Sequence, residues 1–281
     1  MEFSFVDNNK VKLSNILDKM FLSSRQVKVA VAFAKYSGVQ LIESSLNKCL
    51  DKGGRVEFIV GLDFRTTDAR SLRTLSAISK IKPAFNIFCY SDPSDNTSAY
   101  HPKLYLFETE TLLKSIIGSS NLTLGGLLEN IEVNVVLELE RDCENAENLR
   151  DIYANIKYQP SRFVPDDQYI DAYQEVLDRV SHPKNTKTDT QKAVEYLRRL
   201  EATLPKPYIN PSELSGWQKL VFAKLPEGEF GTNELYKYAS DFQQTYPDNK
   251  NIEPKIRQVL QQLRDLGLII HVNEGRWRLR I

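Results

Sequence analysis

Short apolar runs alternate with amphipathic stretches between residues 27 and 139. Six runs predict strands, and several of these are apolar on both faces: 27–34, 55–62, 84–90, 103–107, 114–118 and 131–139. Strands of that kind belong in the middle of a sheet that is covered on both sides. The stretches 38–50 and 67–80 have helical spacing and begin near Gly, Thr or Asp, as helices do. The pattern therefore predicts an α/β domain with an α/β/α sandwich architecture.

Helical periodicity continues beyond the last of these runs. Residues 142–158, 166–180 and 188–204 carry leucines and aromatic residues at three- and four-residue intervals. The segment LPKPYINPSEL follows, and its three prolines disfavour both helix and sheet, which predicts a linker. We expect a first domain over residues 1–160, a helical extension over 161–204, a linker over 205–214 and a C-terminal module over 215–281.

The C-terminal module has the pattern of a winged helix. Helices are expected over 217–225, over 230–247 with Thr232 as N-cap, and over 251–267, where Pro254 lies in the first turn and Gly267 follows the last. The third helix has one apolar face, made of Ile256, Val259, Leu260 and Leu263. Two extended runs joined by Asn-Glu-Gly at 273–275 then predict a hairpin.

Composition restricts the compartment and the type of partner. The chain has 37 basic and 37 acidic residues, so any nucleic-acid site must be a local patch. Its cysteines, Cys49, Cys89 and Cys143, are odd in number and form no CxxC pair, which favours a reducing compartment and disfavours structural zinc. The N-terminus lacks the pattern of a signal peptide, and no apolar run has membrane-spanning length. These features predict a cytoplasmic protein with no membrane association.

One group of polar residues interrupts the apolar runs and suggests phosphodiester chemistry. His101 and Lys103 project from the same side if HPKLYLF is extended, which places a nucleophile beside a fixed positive charge. The turn GSSN that follows brings backbone amides and the Asn121 side-chain amide toward a phosphate. Glu132 lies inside the apolar run 131–139, where a buried carboxylate needs a partner such as His101.

A purely structural interpretation has to be weighed against this one. A single HxK occurs often by chance, and His182, Lys184 and Asp189 also satisfy HxKxxxxD, in a polar, turn-rich segment. No apolar strand carries that second match and no GSxN follows it, so it is expected to be a helix connection. Four elements in the same order around His101 coincide by chance far less readily.

HxK followed by GSxN resembles the phospholipase D superfamily. That superfamily usually has Asp five residues after the lysine, where this chain has Glu108. The order His101, Lys103, Asn121, Glu132 is similar to that of the superfamily's metal-independent restriction endonucleases. The resemblance implies cleavage without a metal ion or cofactor, through a covalent phosphohistidine on His101, while His101 of a second subunit protonates the leaving oxygen.

The same resemblance assigns roles to the other residues. Lys103 and Asn121 are expected to stabilise charge on the non-bridging oxygens, assisted by the hydroxyl of Ser119 or Ser120. Glu132 is expected to orient the imidazole. Two histidines on opposite sides of one phosphate imply a homodimer with its active site on the two-fold axis. The alternative pairs His101 with His182 inside one chain.

Residues 215–281 carry a second resemblance. The run PDNKNIEPKIRQVLQQLRDLGLI followed by GRWRL is similar to the winged helix of Dam-replacing and related methyl-directed restriction endonucleases. This implies double-stranded DNA as partner, with the third helix in a major groove. The candidate contacts are Asn249, Lys250, Asn251, Lys255, Arg257 and Gln258. Trp217 and Trp277 are expected to be core residues.

Together these observations predict a type II-like restriction endonuclease. Two other classes stay open: a phospholipase D-like phosphodiesterase that acts on a non-DNA substrate, and a non-catalytic DNA-binding protein whose first domain has lost its activity. Winged helices also bind proteins, so the fold of the module does not by itself choose the partner.

Overall fold

The chain packs as two compact units. The computed structural model describes residues 2–63, 65–91, 99–159, 161–181, 187–205, 209–214, 216–247 and 249–280. The first unit comprises Met1–Arg141 and Pro160–Pro207, and the second comprises Asp142–Gln159 and Tyr208–Ile281. Within the described ranges, no helix is both long enough and apolar enough to span a bilayer.

A central sheet of eight strands forms the first unit. The strands are β1 (Glu2–Val6), β2 (Gln26–Val31), β3 (Arg55–Gly61), β4 (Phe85–Tyr90), β5 (Lys103–Glu108), β6 (Leu112–Gly118), β7 (Asn134–Glu140) and β8 (Arg162–Phe163). Their order is β1-β7-β6-β5-β2-β3-β4-β8. Strands β2, β3 and β4 run parallel, and the other neighbouring pairs run antiparallel.

The register brings five strands together at one edge of the sheet. Lys103 at the start of β5 pairs with Val31, Val31 pairs with Val60, and Val60 pairs with Cys89. The carboxyl ends of β2, β3 and β4 therefore meet the beginning of β5. Because β6 is antiparallel to β5, its end at Gly118 lies at this edge as well.

Five helices share one apolar core with this sheet. They are α1 (Leu13–Ser23), α2 (Tyr36–Asp51), α3 (Ala69–Ile81), α5 (Asp167–Ser181) and α6 (Lys187–Thr203). Alternate residues such as Val29 and Val31 belong to the core, and Ala30 between them is also fully buried, as expected for strands that are apolar on both faces. The predicted α/β class is confirmed, whereas β1, α1 and β8 were not predicted.

One predicted strand begins too early. Residues 131–139 were expected to be extended and buried, but β7 begins at Asn134. Ile131 and Val133 are 96% and 65% exposed, so the chain before Asn134 lies at the surface. The apolar residues Ile131 and Val133 have the pattern of a buried strand, but the strand itself begins only at Asn134.

The second unit is a winged helix with one additional helix. It contains α4 (Glu144–Lys157), a 3-10 turn (Pro211–Glu213), α7 (Gly216–Phe222), β9 (Glu229–Gly231), α8 (Thr232–Tyr236), α9 (Ala239–Thr245), α10 (Ile252–Asp265), β10 (Ile269–Asn273) and β11 (Arg276–Leu279). The three strands pair in the order β10-β11-β9.

Most of the predicted module is found. All four residues of the predicted apolar face of α10 are buried, and so are Trp217 and Trp277. Gly267 has φ +73°, and its N–H donates to the carbonyl oxygen of Arg264 (2.8 Å), which ends α10 as predicted. Gly275, with φ +69°, turns the hairpin.

Thr232 does not have its predicted role. Gly231 is the N-cap of α8, and the expected second helix is divided into α8 and α9. The Thr232 hydroxyl accepts a hydrogen bond from Trp277 Nε1 (2.8 Å) and donates to the Gly275 carbonyl oxygen (3.2 Å). Because the hydroxyl is bound to β11 and its turn, it fixes the wing instead of capping the helix.

Helix α4 packs within the second unit, although the predicted boundary placed it in the first domain. Glu147 Oε2 accepts a hydrogen bond from the Gly216 N–H (2.8 Å), and Asn155 Oδ1 accepts one from Gln218 Nε2 (2.9 Å). These bonds attach α4 to the start of α7. Residues 160–207, partly assigned to a helical extension, pack in the first unit.

Candidate active site and nucleic-acid interface

His101 and Lys103 lie next to each other at the sheet edge where β5 begins. The β2–β5 ladder continues one step beyond the strand, because the Ala32 N–H donates to the Pro102 carbonyl oxygen (2.8 Å). Lys103 Nζ lies 2.5 Å from Nδ1 and 3.0 Å from Nε2 of His101, and it donates to the His101 carbonyl oxygen (3.1 Å). The strand begins two residues after His101, but the two side chains meet as predicted.

The surroundings of His101 favour the neutral imidazole. Partial burial and then the positive charge of Lys103 lower the pKa of His101. Burial also lowers the pKa of Lys103, while the carboxylate of Glu132 acts in the opposite direction. A neutral imidazole keeps the nitrogen lone pair that a nucleophile needs.

The turn after β6 places Asn121 at the same edge. Asn121 is buried, and its Oδ1 accepts a hydrogen bond from the Phe33 N–H (3.3 Å) just beyond β2. The amide nitrogen is consequently the end of this side chain that can donate to a ligand. Gly38 of α2 packs directly against the turn, since a Cβ built there would lie 2.4 Å from the carbonyl carbon of Leu122.

The two serines of the turn have different surroundings. Ser120 is fully buried, its Oγ accepts from Asn134 Nδ2 (2.9 Å), and its carbonyl oxygen accepts from the Tyr105 hydroxyl (3.0 Å). The Ser119 hydroxyl donates to Glu132 Oε2 in a short hydrogen bond. Ser120 therefore fixes the turn from inside, while Ser119 belongs to the group of polar residues at the surface.

Glu132 is present near the site but not in its expected surroundings. It lies in the surface segment before β7, and its carboxylate accepts hydrogen bonds from Ser119 Oγ and, through Oε1, from Asn130 Nδ2 (3.4 Å). These bonds, instead of burial against His101, hold the carboxylate. Its charge acts on the Lys103 ammonium.

Glu108 is remote from His101. Glu108 follows His101 by seven positions of nearly extended chain, about 23 Å at ~3.3 Å per residue. Glu108 is buried, and its Oε2 lies 3.6 Å from Arg141 Nε. It therefore lies at the far end of β5 from His101. In the second HxK match, His182 and Lys184 lie outside the described residues, and Asp189 belongs to α6.

Asn8 was missed by the sequence analysis. Its backbone has φ 61°, and its buried side chain donates to the carbonyl oxygens of Gly126 (2.9 Å) and Asn130 (3.3 Å) while Oδ1 accepts from the Leu13 N–H (2.9 Å). Asn8 thus fastens the N-terminal segment to the loop that carries Asn130 and Glu132. The turn sequence DNN was the available signal.

The predicted DNA contacts lie around the first turns of α10. Asn251 is the exposed N-cap residue, and Lys250 before it is exposed. Asn249 Oδ1 accepts from the Asn251 N–H (2.9 Å), which gives Asn249 a structural role. Lys255 Nζ donates to Gln258 Oε1 (3.2 Å), and Arg257 Nη1 donates to the Tyr236 hydroxyl (2.6 Å).

An exposed row of arginines on the wing was also missed. Arg276, Arg278 and Arg280 alternate with Trp277 and Leu279, so the tryptophan enters the core while the arginines face solvent. Among the described residues, the strand register places one acidic residue opposite these arginines, namely Glu229, which pairs with Arg278. The alternating letters RWRLR were the signal.

Comparison with protein families identifies both units. Residues 16–155 match the family described as "Cardiolipin synthase, PLD-like domain", and residues 215–279 match the "Dam-replacing HTH domain". The chain therefore contains a phospholipase D-like domain over residues 16–155 and a Dam-replacing winged helix after it. A comparison with curated proteins gives no match.

Solved structures with a similar chain path include NucT, Nuc and a phosphatidylserine synthase. NucT from Helicobacter pylori is 15% identical over 54% of this chain and 93% of its own, with a TM-score of 0.41. Nuc from Salmonella typhimurium, a phospholipase D family member, is 17% identical over 55% and 92%, with a TM-score of 0.42. Phosphatidylserine synthase from Haemophilus influenzae is 15% identical over 72% and 46%, with a TM-score of 0.46.

Proposed function

We propose that this protein is a restriction-type DNA endonuclease that works without a metal ion. The observation that carries the proposal is the contact of Lys103 Nζ with the His101 ring, at the sheet edge where Asn121 also lies, in a chain that also contains a Dam-replacing winged helix. The first unit supplies phosphodiesterase chemistry, and the second supplies affinity for DNA.

The reaction proceeds in two displacements. In the first, a neutral His101 nitrogen attacks phosphorus, a P–N bond forms, and the bond to the leaving oxygen breaks as that oxygen takes a proton from the second subunit's His101. In the second, that now neutral histidine removes a proton from water, the water oxygen attacks phosphorus, and the P–N bond breaks. Phosphate ends and free His101 result.

The residues around the imidazole stabilise these steps. The Lys103 ammonium and the Asn121 amide face the negative charge that builds on the non-bridging oxygens. Ser119 and Glu132 form a hydrogen-bonded pair beside them. The carboxylate of Glu132 offsets the positive charge of the site and, in the acid role, favours the protonated imidazole.

DNA binding is assigned to the second unit. Lys250, Asn251, Lys255, Arg257 and Gln258 line the exposed start of α10, as expected of a helix that enters a major groove. We add the arginine row of β11, whose charges can contact phosphates. The partner is double-stranded DNA.

The central test is cleavage of plasmid DNA by His101→Ala and His182→Ala variants. We expect His101→Ala to lose cleavage while keeping DNA affinity, and His182→Ala to cleave as the unsubstituted protein does. Loss of cleavage in both variants would support the pairing of the two histidines within one chain. Cleavage by His101→Ala at an unchanged rate would refute the assignment.

Two further measurements distinguish between the competing functions. Plasmid cleavage is measured in excess EDTA, with and without added magnesium, and a labelled phospholipid is offered in parallel. We expect cleavage in EDTA and no turnover of the lipid. Restoration by magnesium after loss in EDTA contradicts the metal-free mechanism, lipid turnover alone indicates a phospholipase, and binding without any cleavage indicates a regulator.

A further inference from the structure

A cavity lies at the same sheet edge as His101. It measures about 110 Å³ and is bounded by the residues that follow β3 and β4 and by helices α5 and α6. Ligands of α/β proteins bind in the crevice outside the carboxyl ends of the strands. Since β3 and β4 lie two and three strands from β5, the cavity is roughly 10 to 14 Å from Lys103 at ~4.8 Å per strand.

The charges that line the cavity indicate a neutral ligand. Asp63 and Glu201 supply two carboxylates, and Arg65 and Arg198 supply two guanidinium groups, so the charges cancel. A phosphate would meet as many carboxylates as arginines. A planar group whose edge carries both hydrogen-bond donors and acceptors matches this lining better.

The volume of the cavity and the burial of Glu201 restrict the class of ligand further. The cavity is well below the ~300 Å³ at which pockets for drug-sized molecules begin. Glu201 is 8% exposed, and its Oε1 accepts from the Tyr169 hydroxyl (2.8 Å), so this carboxylate is held in place. A carboxylate is the acceptor that recognises the amino group of a base.

The backbone at Arg65 is unusual. Arg65 has φ 51°, and its N–H donates to the Leu62 carbonyl oxygen (2.9 Å). Residues other than Gly, Asn and Asp rarely adopt this left-handed conformation, and such residues concentrate at functional sites. Arg65 and Asp63 both line the cavity.

We propose that this cavity binds one base of the DNA strand, displaced from its stack, and that it favours bases that carry an exocyclic amino group. The inference rests on the proposed function, because it takes DNA as the substrate of the neighbouring site. It adds a base-reading site in the first unit to the DNA-binding surface of the winged helix.

Direct binding of deoxynucleosides tests the proposal. Ligand-observed NMR titrations of the full chain use deoxyguanosine, deoxycytidine and thymidine as probes. We expect the two amino-bearing nucleosides to bind at least about fivefold more tightly than thymidine, the lower end of the discrimination given by one good contact to a base edge. Equal affinities, or no binding of any probe, would overturn the inference.

Matched variants locate the bound nucleoside. Val194→Phe fills the cavity from α6, and Arg198→Ala removes a lining side chain, whereas Arg199→Ala removes the same charge from the adjacent exposed position that is not part of the lining. We expect the first two to weaken nucleoside binding at least tenfold and Arg199→Ala to have no effect. If thermal unfolding shows that Val194→Phe is unstable, the two arginine variants decide, and equal effects of both contradict the proposal.

The failure of this inference can be told apart from failure of the proposed function. His101→Ala should bind nucleosides normally, because His101 is not part of the cavity. Nucleoside binding with no cleavage of DNA by the unsubstituted protein would refute only the nuclease assignment. Cleavage that proceeds while no nucleoside binds would refute only the base-binding cavity.

Discussion

At the scale of single residues, the two halves of the proposed reaction place opposite demands on the pKa of His101. The attacking imidazole must be neutral, and its symmetry mate must be protonated. Burial and the Lys103 charge lower this pKa, so the free site is ready for attack. Bound phosphate supplies the negative charge that allows one of the two rings to hold a proton.

Replacing Lys103 with Gln should raise the pKa of His101. The substitution removes the positive charge but leaves the burial, which is the larger cause, so the pKa should rise only part of the way toward its ordinary value. NMR titration of the histidine ring protons measures it, and the three histidines of the chain are assigned with the help of His101→Ala.

The same variant should lose activity. Removing one preorganised charge donor costs about 100- to 1,000-fold in kcat at comparable sites. Because the pKa of the nucleophile rises, the acidic limb of the rate profile should move to higher pH. Lys114→Gln is the control, since Lys114 pairs with Glu138 (2.7 Å) on the neighbouring strand. An unchanged pKa in Lys103→Gln would show that this contact does not tune the imidazole.

At the scale of elements, the fit between α2 and the turn at residues 119–123 determines whether Asn121 is presented correctly. Alanine normally stabilises a helix by up to ~1 kcal/mol relative to glycine. At Gly38 the sign should reverse, because the new methyl group would overlap the backbone of Leu122 and Thr123. We expect Gly38→Ala to destabilise by roughly 1–3 kcal/mol and to lower kcat.

Thermal unfolding and cleavage rates measure the Gly38 variant. Gln40→Ala is the control, because Gln40 is exposed on the same helix and its replacement should change stability by less than about 0.5 kcal/mol. If Gly38→Ala is as stable and as active as the control variant, the close approach of α2 does not position the turn.

The arginine row on the wing makes a second prediction at this scale. Each phosphate contact contributes about −0.9 to the slope of log affinity against log salt for B-DNA. The double variant Arg276→Gln, Arg278→Gln should therefore reduce that slope by about 1.8 in magnitude and weaken binding to all DNA sequences alike.

A matched pair of substitutions controls for charge. Arg264 is exposed and Lys224 is partly exposed in the same unit, but they pair with Asp265 (2.7 Å) and Asp241 (3.0 Å). Replacing both with Gln removes the same charge and should change the salt slope less. Equal slopes for the two double variants would mean that the wing makes no specific phosphate contacts. Fluorescence anisotropy over a series of KCl concentrations provides the slopes.

The features that could be predicted from the sequence depend on local patterns, whereas those that could not depend on contacts between positions far apart in the chain. Helix α10 and strand β5 were predictable because their apolar positions repeat locally. Asn8 was not, because its side chain binds Gly126, 118 positions away, and only the folded chain joins them. Glu132 was placed in a strand because Ile131 and Val133 have the letters of a core, yet both are exposed. The hydrogen bond from the Ser119 hydroxyl, not burial in the core, holds the Glu132 side chain in place.

At the scale of the whole molecule, one chain offers a single described set of His101, Lys103, Asn121 and Glu132, whereas the proposed chemistry uses two imidazoles on one phosphate. The proposed homodimer with a shared site would supply the second imidazole, and activity would then depend on pairs of subunits. The proposed function assigns catalysis to the first unit and the main DNA-binding surface to the second, so substitutions in one unit can test its role while the other is left unchanged.

Mixing unsubstituted protein with His101→Ala tests the shared site directly. After subunits exchange at equal amounts, only pairs with two intact histidines complete both displacements, so activity should fall to about one quarter of that of the same total protein. Subunits that act alone would retain about one half. Mixing with the His182→Ala variant instead should leave the cleavage activity unchanged. A linear dependence on the fraction of intact chains would exclude a site shared across the two-fold axis, and His101 would then need its proton donor within one chain.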